Sequence, residues 1–295
     1  MPDRNQPARL DVRKTYKLFI GGAFPRSESG RSYPVTGRRG ELLAHAARAS
    51  RKDARDAVLA ARKAFPGWSG ATAYNRGQVL YRVAELLEGR SGQFADEGVK
   101  AAGIGAAKAA QQVAAAIDRW VWYAGWPDKI GQITGAANPV AGPYFNLSVS
   151  EPTGVVALLA PAEASLLALV SVLAPVIATG NTVVLVASEQ APLAAISLAE
   201  VLATSDVPGG VVNVLTGRTA ELAPVLAAHM DVNAIDLTGV DPAARADLER
   251  AAADNVKRVF PIGQDGTAED WAATPALDRM LAFLETKTVW HPIGT

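Results

Sequence analysis

The stretch from 151 to 190, EPTGVVALLAPAEASLLALVSVLAPVIATGNTVVLVASEQ, constrains the fold of this chain more than any other. Two short apolar runs rich in β-branched residues, 155–159 and 182–186, flank an apolar segment at 165–178 whose length and pattern predict a helix. Glycine, proline and asparagine residues, which favour turns, bound these runs. Because the runs are apolar throughout rather than alternating, they predict two parallel strands that are buried on both faces and joined by a crossover helix.

The same alternation of short apolar runs and helices continues to residue 260. Five β-runs separated by helical segments lie between 151 and 260, which favours a Rossmann-like, doubly wound parallel sheet in an α/β fold. In such sheets a ligand binds beyond the carboxyl ends of the strands. The loop at 160–165, which follows the first strand, is therefore the first candidate for a ligand site.

The part of the chain before this unit, 17–134, is predominantly helical in its pattern. Ser50, followed by Asp53 three positions later, predicts a capping box at the start of a helix. Four aromatic residues share a later helical segment and could form a cage for a ligand. Core burial is the favoured interpretation, because aromatic side chains usually supply buried area; they are Trp120, Trp122, Tyr123 and Trp126.

Composition excludes several classes of function. The 295 residues include 29 basic and 29 acidic side chains, so the formal net charge is zero. This balance does not indicate a basic surface of the kind that binds nucleic acid or an anionic membrane. There is no cysteine, which excludes disulfides, thiolate metal sites and a cysteine nucleophile in this chain. The first residues lack the apolar core of a signal peptide. The long uncharged span at 164–188 is broken by Pro175 and Gly180, so a cytoplasmic location is expected.

Other candidate sites have little support. The three histidines lie far apart without the spacing of metal ligands, so no metal site is expected; they are His45, His229 and His291. Gly103 and Gly105 resemble the opening of a dinucleotide fingerprint, but they lie between helices and predict a flexible joint instead. Ser165 and Ser188 have no nearby histidine or lysine to activate them, so neither is a candidate nucleophile.

The chain changes character after residue 260. Residues 261–275 are irregular, and their acidic side chains are interpreted as a solvated loop rather than a catalytic pair; they are Asp265, Glu269 and Asp270. A short helix and a strand from Thr286 to Trp290 follow. That strand has no neighbour in sequence, so we expect it to pair with the alternating strand from Tyr144 to Ser150 and to form a small β-arm.

Several motifs follow one another along nearly the whole chain: YKLFIGGAF, EPTGVVALLAP, LAPVIATGNTVVL, VPGGVVNVLTG, NVKRV and KTVWHPIG. Together, and in this order, they resemble the aldehyde dehydrogenase superfamily. The resemblance implies a nucleotide-binding domain that carries an oligomerisation arm.

A segment that this family has between NVKRV and the tail is absent. The resemblance implies that a catalytic domain belongs there, with a nucleophilic cysteine, a general-base glutamate and a glutamate for the nicotinamide ribose. Here Phe260 is followed only by a linker and a short helix before the tail motif. Without a thiolate the family's thiohemiacetal cannot form, so no catalytic residue is expected.

The nucleotide-binding positions implied by the resemblance are altered as well. Glu163 stands where the family has an asparagine that donates to the developing oxyanion. Val186 stands where a lysine binds the adenosine ribose. Thr219 and Ala220 replace a glycine-proline pair, and Val240 replaces a serine near the phosphates.

Three candidate cofactor-binding residues are retained from the family pattern: Glu189, Thr238 and Gly239. Glu189 matches the glutamate that faces the adenosine ribose. Since most other polar contacts are lost, the sequence predicts that no cofactor is required and that any NAD(P) binding would be residual.

The sequence thus predicts a non-catalytic chain, a structural or regulatory partner of a full-length NAD(P)-dependent aldehyde dehydrogenase. In the family, the arm adds its strands to the catalytic domain of another subunit, so we expect contact through Tyr144 to Ser150 and Thr286 to Trp290. One alternative is a minimal NAD(P)-dependent oxidoreductase that acts on aldehydes with its Rossmann-like half. Another is a folded remnant of a gene deletion, against which the intact tail motif argues.

The predicted organisation follows from these assignments. In order, the segments are a disordered leader at 1–16, the helical part of the nucleotide-binding domain at 17–134, the oligomerisation hairpin at 135–150, the sheet core at 151–260, the linker that replaces the catalytic domain at 261–275, and the terminal helix and oligomerisation strand at 276–295.

Overall fold

The computed structural model describes residues 12–163, 165–260 and 269–294. The strands within them are β1 (Thr15–Tyr16), β2 (Ser32–Thr36), β3 (Leu42–Ala47), β4 (Ala136–Ala137), β5 (Tyr144–Pro152), β6 (Val155–Leu159), β7 (Thr182–Val186), β8 (Val212–Leu215), β9 (Ala234–Asp236), β10 (Arg258–Phe260) and β11 (Leu284–Pro292). The helices are α1 (Arg51–Gly70), α2 (Ala73–Glu88), α3 (Ser91–Ala102), α4 (Ala106–Ala124), α5 (Ile130–Thr134), α6 (Leu166–Ala178), α7 (Leu193–Leu202), α8 (Thr219–Ala228), α9 (Pro242–Ala253) and α10 (Asp278–Ala282).

The central sheet has five parallel strands in the order β10-β9-β6-β7-β8. Within this sheet, β6 is the first strand in sequence, and β7 and β8 follow it on one side. The chain then crosses back to form β9 on the other side of β6, and β10 lies beside β9. The predicted doubly wound α/β fold is confirmed, including the parallel pair β6 and β7 with α6 between them in sequence. Strand order reverses between β6 and β9, so a crevice opens at the carboxyl ends of these two strands.

Apolar helices cover both faces of this sheet. Every residue of α6 is buried, and this helix packs beside α4. On one face, the side chains of α2, α4, α6 and α7 form one apolar layer with the sheet. On the opposite face, the side chains of α1, α8 and α9 form the other. The aromatic residues of α4 and Trp126, which follows this helix, belong to the first layer, which confirms their interpretation as core. Trp120 and Tyr123 are buried in it, and Trp122 and Trp126 pack against it.

A small sheet with the order β1-β3-β2 lies near the start of the described chain. The expected leader extends to residue 16, but Thr15 and Tyr16 form β1, paired with His45 and Ala46 of β3. Tyr16 also packs against the core, and this burial explains why regular structure begins earlier than predicted. Residues 1–11, the greater part of the predicted leader, lie outside the described residues.

Helix α1 begins with the capping box that the sequence predicts. Ser50 Oγ accepts hydrogen bonds from the backbone N–H groups of Lys52 and Asp53, and Asp53 Oδ2 accepts one from the Ser50 N–H at 2.8 Å. Asp53 is buried and also accepts a hydrogen bond from the Ser27 hydroxyl at 2.7 Å. The box therefore ties α1 to the loop before β2 as well as starting the helix.

Replacing Ser50 with alanine is expected to lower the free energy of unfolding by about 1 kcal/mol, because two helix N–H groups lose their acceptor. Replacing Asp53 with alanine is expected to lower the free energy of unfolding by about 2 kcal/mol, because the Ser27 hydroxyl and the Ser50 N–H both lose their hydrogen-bond acceptor. Urea denaturation followed by circular dichroism measures both losses. An equal loss for Ser69→Ala, near the end of the same helix, would contradict the capping explanation.

The third sheet, formed by β4, β5 and β11, is the predicted arm, and we keep that name for it. β11 pairs antiparallel with β5 along its whole length, from Leu284 opposite Pro152 to Pro292 opposite Tyr144. β4 pairs with the other edge of β5. The expected pairing of the terminal strand is confirmed, and both strands extend beyond their predicted bounds.

No helix in the described parts of the chain has the length and apolar character needed to cross a membrane. The uncharged span noted in the sequence forms α6 and β7, separated by a turn at Gly180. Residues 261–268 of the predicted linker lie outside the described residues. The cytoplasmic location and the predicted domain boundaries stay predictions.

Candidate functional site

A groove with a volume of about 650 Å³ lies at the carboxyl ends of the central strands. The loops after β6, β7 and β9 line it, together with residues of α8 and α9. The loop at 160–165, which the sequence singles out, contributes Ala160 and Ala162. The lining between the two helices is apolar and consists of Ala223, Pro224, Val240 and Leu248.

Glu189 follows β7 and lines this groove with a partly exposed carboxylate. Its Oε1 accepts the backbone N–H of Thr219 at 2.5 Å, and its Oε2 lies 4.0 Å from a guanidinium nitrogen of Arg218. A negative charge at this place stabilises the N-terminal end of α8. Burial, assisted by the charge of Glu189, raises the pKa of Tyr33 to about 12.

Thr238 and Gly239, the other two predicted cofactor-binding residues, also line the groove. The Thr238 hydroxyl donates to Asp236 Oδ1 at 2.5 Å and accepts a hydrogen bond from Arg279 at 3.2 Å. Gly239 lies so close to the loop after β6 that an added Cβ would be 1.8 Å from the Ala160 carbonyl oxygen. The three predicted residues therefore meet in one groove, and each also has a structural contact.

The positions that depart from the family pattern are distributed among the core, the groove and a second cavity. Val186 is buried in the layer under α1 and α8, and Val240 is buried beside the groove. Thr219 and Ala220 line the groove at the first turn of α8. Glu163 is exposed and lines a second cavity of about 940 Å³, which we call the cleft.

Arg279 of α10 forms a charged contact that the sequence did not reveal. Its side chain is only 5% exposed and pairs with Asp236, at the end of β9, and with Glu269 at 2.8 Å. The guanidinium carbon also lies 4.4 Å from the ring centroid of Phe260. Burial opposes the charge of Arg279, but the two carboxylates outweigh it and raise its pKa.

The segment 269–273, which we call the strap, is held by a second buried arginine. Arg119 of α4 donates to the carbonyl oxygens of Trp271 at 2.9 Å and Ala273 at 2.7 Å, and to the Ser171 hydroxyl at 2.7 Å. Glu269 is exposed, as expected for a solvated acidic loop, but its carboxylate also binds the buried Arg279. Asp270 is exposed as expected, and Asp265 lies outside the described residues.

Ser165 and Ser188, the two serines rejected as nucleophiles, have structural contacts. Ser165 caps α6 by accepting the backbone N–H of Ala168 at 3.2 Å. The Ser188 hydroxyl donates to the Ala162 carbonyl oxygen at 2.8 Å and joins the loops after β6 and β7. Within the described ranges, no group of three or more His, Cys, Asp or Glu side chains is arranged to hold a metal ion.

Comparisons with known proteins agree on one family. Residues 26–261 match the family model described as the aldehyde dehydrogenase family. The chain is 33% identical over 265 residues to the cytosolic aldehyde dehydrogenase 1 of Elephantulus edwardii, covering 88% of this chain and 52% of that protein. It is 36% identical over 251 residues to aldehyde dehydrogenase family 2 member B4, mitochondrial, of Arabidopsis thaliana, covering 82% of this chain and 45% of that protein.

Solved structures give the same result. The HpcC structure from Thermus thermophilus superposes with a TM-score of 0.77 at 33% identity, over 83% of this chain and 47% of that one. The NAD⁺ complex of an aldehyde dehydrogenase from Bacillus cereus gives a TM-score of 0.76 at 27% identity, over 83% and 50%. The chain spans about half the length of the relatives it matches.

These comparisons correct the expectation about cofactors. The sequence predicted that none is required, whereas related structures of the same fold are complexes with NAD⁺. The expectation was wrong because it was based only on the polar side chains of the family pattern that this sequence lacks. The ends of the parallel strands and the start of α8, which form the walls of a nucleotide groove in such folds, are all retained here.

Proposed function

Because this chain belongs to the aldehyde dehydrogenase family, we propose that it is a non-catalytic, dinucleotide-binding subunit that assembles with a full-length aldehyde dehydrogenase through its arm. The chain contains no cysteine, so it has no thiolate that could attack an aldehyde carbonyl. Its contribution to an assembly would then be structural or regulatory.

The exposed apolar tip of the arm is the observation that carries this proposal. Five large apolar side chains at the tip are between 43% and 59% exposed: Tyr144, Phe145, Val289, Trp290 and Ile293. The rings of Tyr144 and Trp290 pack edge to face with their centroids 5.8 Å apart. Because adjacent side chains of a strand point to opposite faces, Tyr144 and Trp290 expose apolar area on one face of the arm, and Phe145 and Val289 expose it on the other. Exposed apolar area of this kind is typical of an interaction surface.

The edge of β11 supports the same proposal. β5 occupies one side of β11, and no strand of the described residues pairs with the other side. The free side presents backbone N–H and C=O groups along nine residues. A strand from another subunit could pair with these groups by β-augmentation, while pockets on that subunit receive the apolar tip.

Co-purification tests the proposed assembly. An affinity-tagged copy of the chain, expressed at its natural level in its own host, is expected to elute with a full-length aldehyde dehydrogenase subunit. Cross-linking mass spectrometry of that complex should place cross-links from Lys287 of β11 on the partner. Recovery only as a monomer, with no dehydrogenase attached, would refute the proposed assembly.

The described residues fit the adenosine half of a dinucleotide. The apolar slot between α8 and α9 suits a purine ring, and the Glu189 carboxylate suits the hydroxyl groups of a ribose. Thr238 and Gly239 would border the same ligand. A bound NAD(P) would supply a hydride acceptor or donor, whereas this chain would bind and orient it.

Replacing Glu189 with alanine is expected to weaken NAD⁺ binding about ten- to a hundredfold, because a hydrogen bond to a charged group contributes about 1.5–3 kcal/mol. Isothermal titration calorimetry of the wild type and the variant measures the change. Glu221→Ala is the matched control, since Glu221 lies in the first turn of α8, the helix whose start Glu189 contacts, but does not line the groove. A wild-type chain that binds no nucleotide would refute this half of the proposal and leave the assembly half standing.

A second candidate function is a minimal NAD(P)-dependent oxidoreductase that acts on aldehydes. The retained groove favours it, because a bound dinucleotide could accept a hydride from a substrate in the adjoining cleft. Aldehyde-dependent formation of NADH by the purified chain alone would establish this function in place of the first. Formation of NADH only in the presence of the full-length subunit would support the subunit role.

A further inference from the structure

The hydroxyl group of Thr238 lies between the groove and a buried ion pair. Thr238 lines the groove and follows β9 in sequence. Asp236, the last residue of β9, is fully buried, and the side chain of Arg279 on α10 is only 5% exposed. Both contact the hydroxyl: Thr238 Oγ1 lies 2.5 Å from Asp236 Oδ1 and 3.2 Å from Arg279 Nη1. A ligand that reaches Thr238 therefore meets a side chain whose hydrogen bonds are already shared with two charged groups.

These two contacts determine the direction of the hydroxyl hydrogen. An ionised carboxylate can only accept hydrogen bonds, and a guanidinium can only donate them. The hydroxyl of Thr238 therefore donates its single hydrogen to Asp236 and accepts a hydrogen bond from Arg279. One lone pair of the oxygen is left for a ligand, and no hydrogen is left. Toward the groove, Thr238 acts as a hydrogen-bond acceptor only.

Further contacts hold the two charged groups in place. Asp236 Oδ1 also accepts the backbone N–H of Thr238 at 2.9 Å, and Asp236 Oδ2 pairs with Arg279. Arg279 is fixed in turn by Glu269 of the strap, at 2.8 Å, and by the ring of Phe260. If the hydroxyl turned its hydrogen toward the groove, the buried Asp236 carboxylate would lose a donor, which is unfavourable. The acceptor role of Thr238 is therefore a consequence of the fold.

The carboxyl end of β7 has the same polarity. The Ser188 hydroxyl donates to the Ala162 carbonyl oxygen at 2.8 Å and accepts the backbone N–H of Ala191 at 3.3 Å, so its hydrogen is used as well. Ser188, Glu189 and Thr238 thus all present acceptors to the groove. β6 lies between β7 and β9, and neighbouring strands are about 4.8 Å apart, so Glu189 and Thr238 contact different parts of a ligand.

We infer that Asp236 and Arg279 are positioning residues, which fix Thr238 as the acceptor for an amino group of the bound dinucleotide. This inference rests on the nucleotide half of the proposed function and specifies one contact within it. A ribose hydroxyl can donate or accept, so the fixed polarity of Thr238 matters little to it. A planar amino group can only donate, whereas a carbonyl or carboxylate oxygen in its place can only accept. A dinucleotide of this class has two such amino groups, one on the adenine ring and one in the nicotinamide carboxamide.

Two pairs of ligands exchange an amino group for an oxygen. Inosine differs from adenosine at the adenine amino group, and deamido-NAD⁺ differs from NAD⁺ at the carboxamide. In isothermal titration calorimetry of the wild type, the oxygen ligand of at least one pair is expected to bind about tenfold more weakly, because a hydrogen bond is lost and two acceptors face each other. The pair that shows this loss identifies the amino group that Thr238 binds.

The ratio of the two affinities within that pair is then compared among variants. Thr238→Val lacks the acceptor, and the double variant Asp236→Leu with Arg279→Met frees the hydroxyl to turn its hydrogen toward the ligand. Both are expected to lower the ratio about fivefold, whereas Thr238→Ser keeps the hydroxyl and is expected to preserve it. A change in stability does not alter a ratio measured for two ligands on one protein, and the extra charge of deamido-NAD⁺ is the same for every variant.

The matched control is the double variant Asp247→Leu with Arg250→Met. It removes an exposed ion pair of α9 by the same two substitutions and is expected to leave the ratio unchanged. An unchanged ratio in the Asp236→Leu, Arg279→Met variant would overturn the inference, and so would an equal change in the control. Equal affinities within both pairs, for a wild type that binds NAD⁺, would also overturn it but leave the proposed function standing. If the wild type binds neither adenosine nor NAD⁺, the nucleotide half of the proposed function fails and this inference fails with it.

Discussion

Replacing Trp290 with aspartate is expected to weaken the proposed assembly with a full-length aldehyde dehydrogenase by at least about a hundredfold. Trp290 is 59% exposed at the tip of the arm, so the folded chain keeps little of its area buried. Large aromatic residues at the centre of an interface commonly contribute about 2–4 kcal/mol, and a buried charge adds a desolvation cost. The dissociation constant, measured by surface plasmon resonance against the co-purified subunit, reports the loss.

The control for this variant is Met230→Asp. Met230 is 70% exposed, lies outside the arm and undergoes the same change from an apolar to an acidic side chain. Its affinity for the partner is expected to stay within about twofold of the wild type, and neither variant is expected to change the melting temperature by more than a few degrees. Equal affinity of Trp290→Asp and the wild type would place the contact elsewhere on the chain.

Local patterns predicted the elements that depend on neighbouring residues. The two apolar runs around α6 became adjacent parallel strands because a strand buried on both faces needs apolar side chains at every position. Ser50 and Asp53 form a capping box because the geometry of a helix start is local. The pairing of β5 with β11 was predictable for a different reason: the terminal strand had no neighbour in sequence, so it had to pair at a distance, and the alternating strand at 144–150 was the expected partner.

Side-chain contacts between distant segments escaped prediction. Arg279 and Asp236 are separated by 43 positions, and neither belongs to a motif that marks an ion pair. Glu269 looked like part of a solvated loop because the arginine that binds it lies on α10, and the fold of the strap was needed to bring them together. The expectation about cofactors failed for a similar reason. A sequence shows which side chains are lost, but it does not show that distant segments still form the groove.

Replacing Arg279 with methionine is expected to lower the free energy of unfolding by about 3–5 kcal/mol. The change leaves the Asp236 carboxylate, which is fully buried, without its charged partner. It also frees Glu269 and the Phe260 ring, so the strap and α10 lose their attachment to the end of β9. Urea denaturation followed by tryptophan fluorescence measures the loss, and Trp271 on the strap reports local release before global unfolding.

Two comparisons separate charge burial from loss of packing. Arg250→Met removes an arginine from an exposed pair with Asp247 on α9 and is expected to cost less than about 1 kcal/mol. The double variant Asp236→Leu with Arg279→Met removes both buried charges, so it is expected to be more stable than Arg279→Met alone. If the double variant is no more stable than the single one, the cost arises from lost packing and lost strap contacts rather than from an unpaired carboxylate. Buried charge is the stronger expectation because, within the described parts of the chain, Arg279 is the one cation paired with Asp236, whereas Glu269 is half exposed to water.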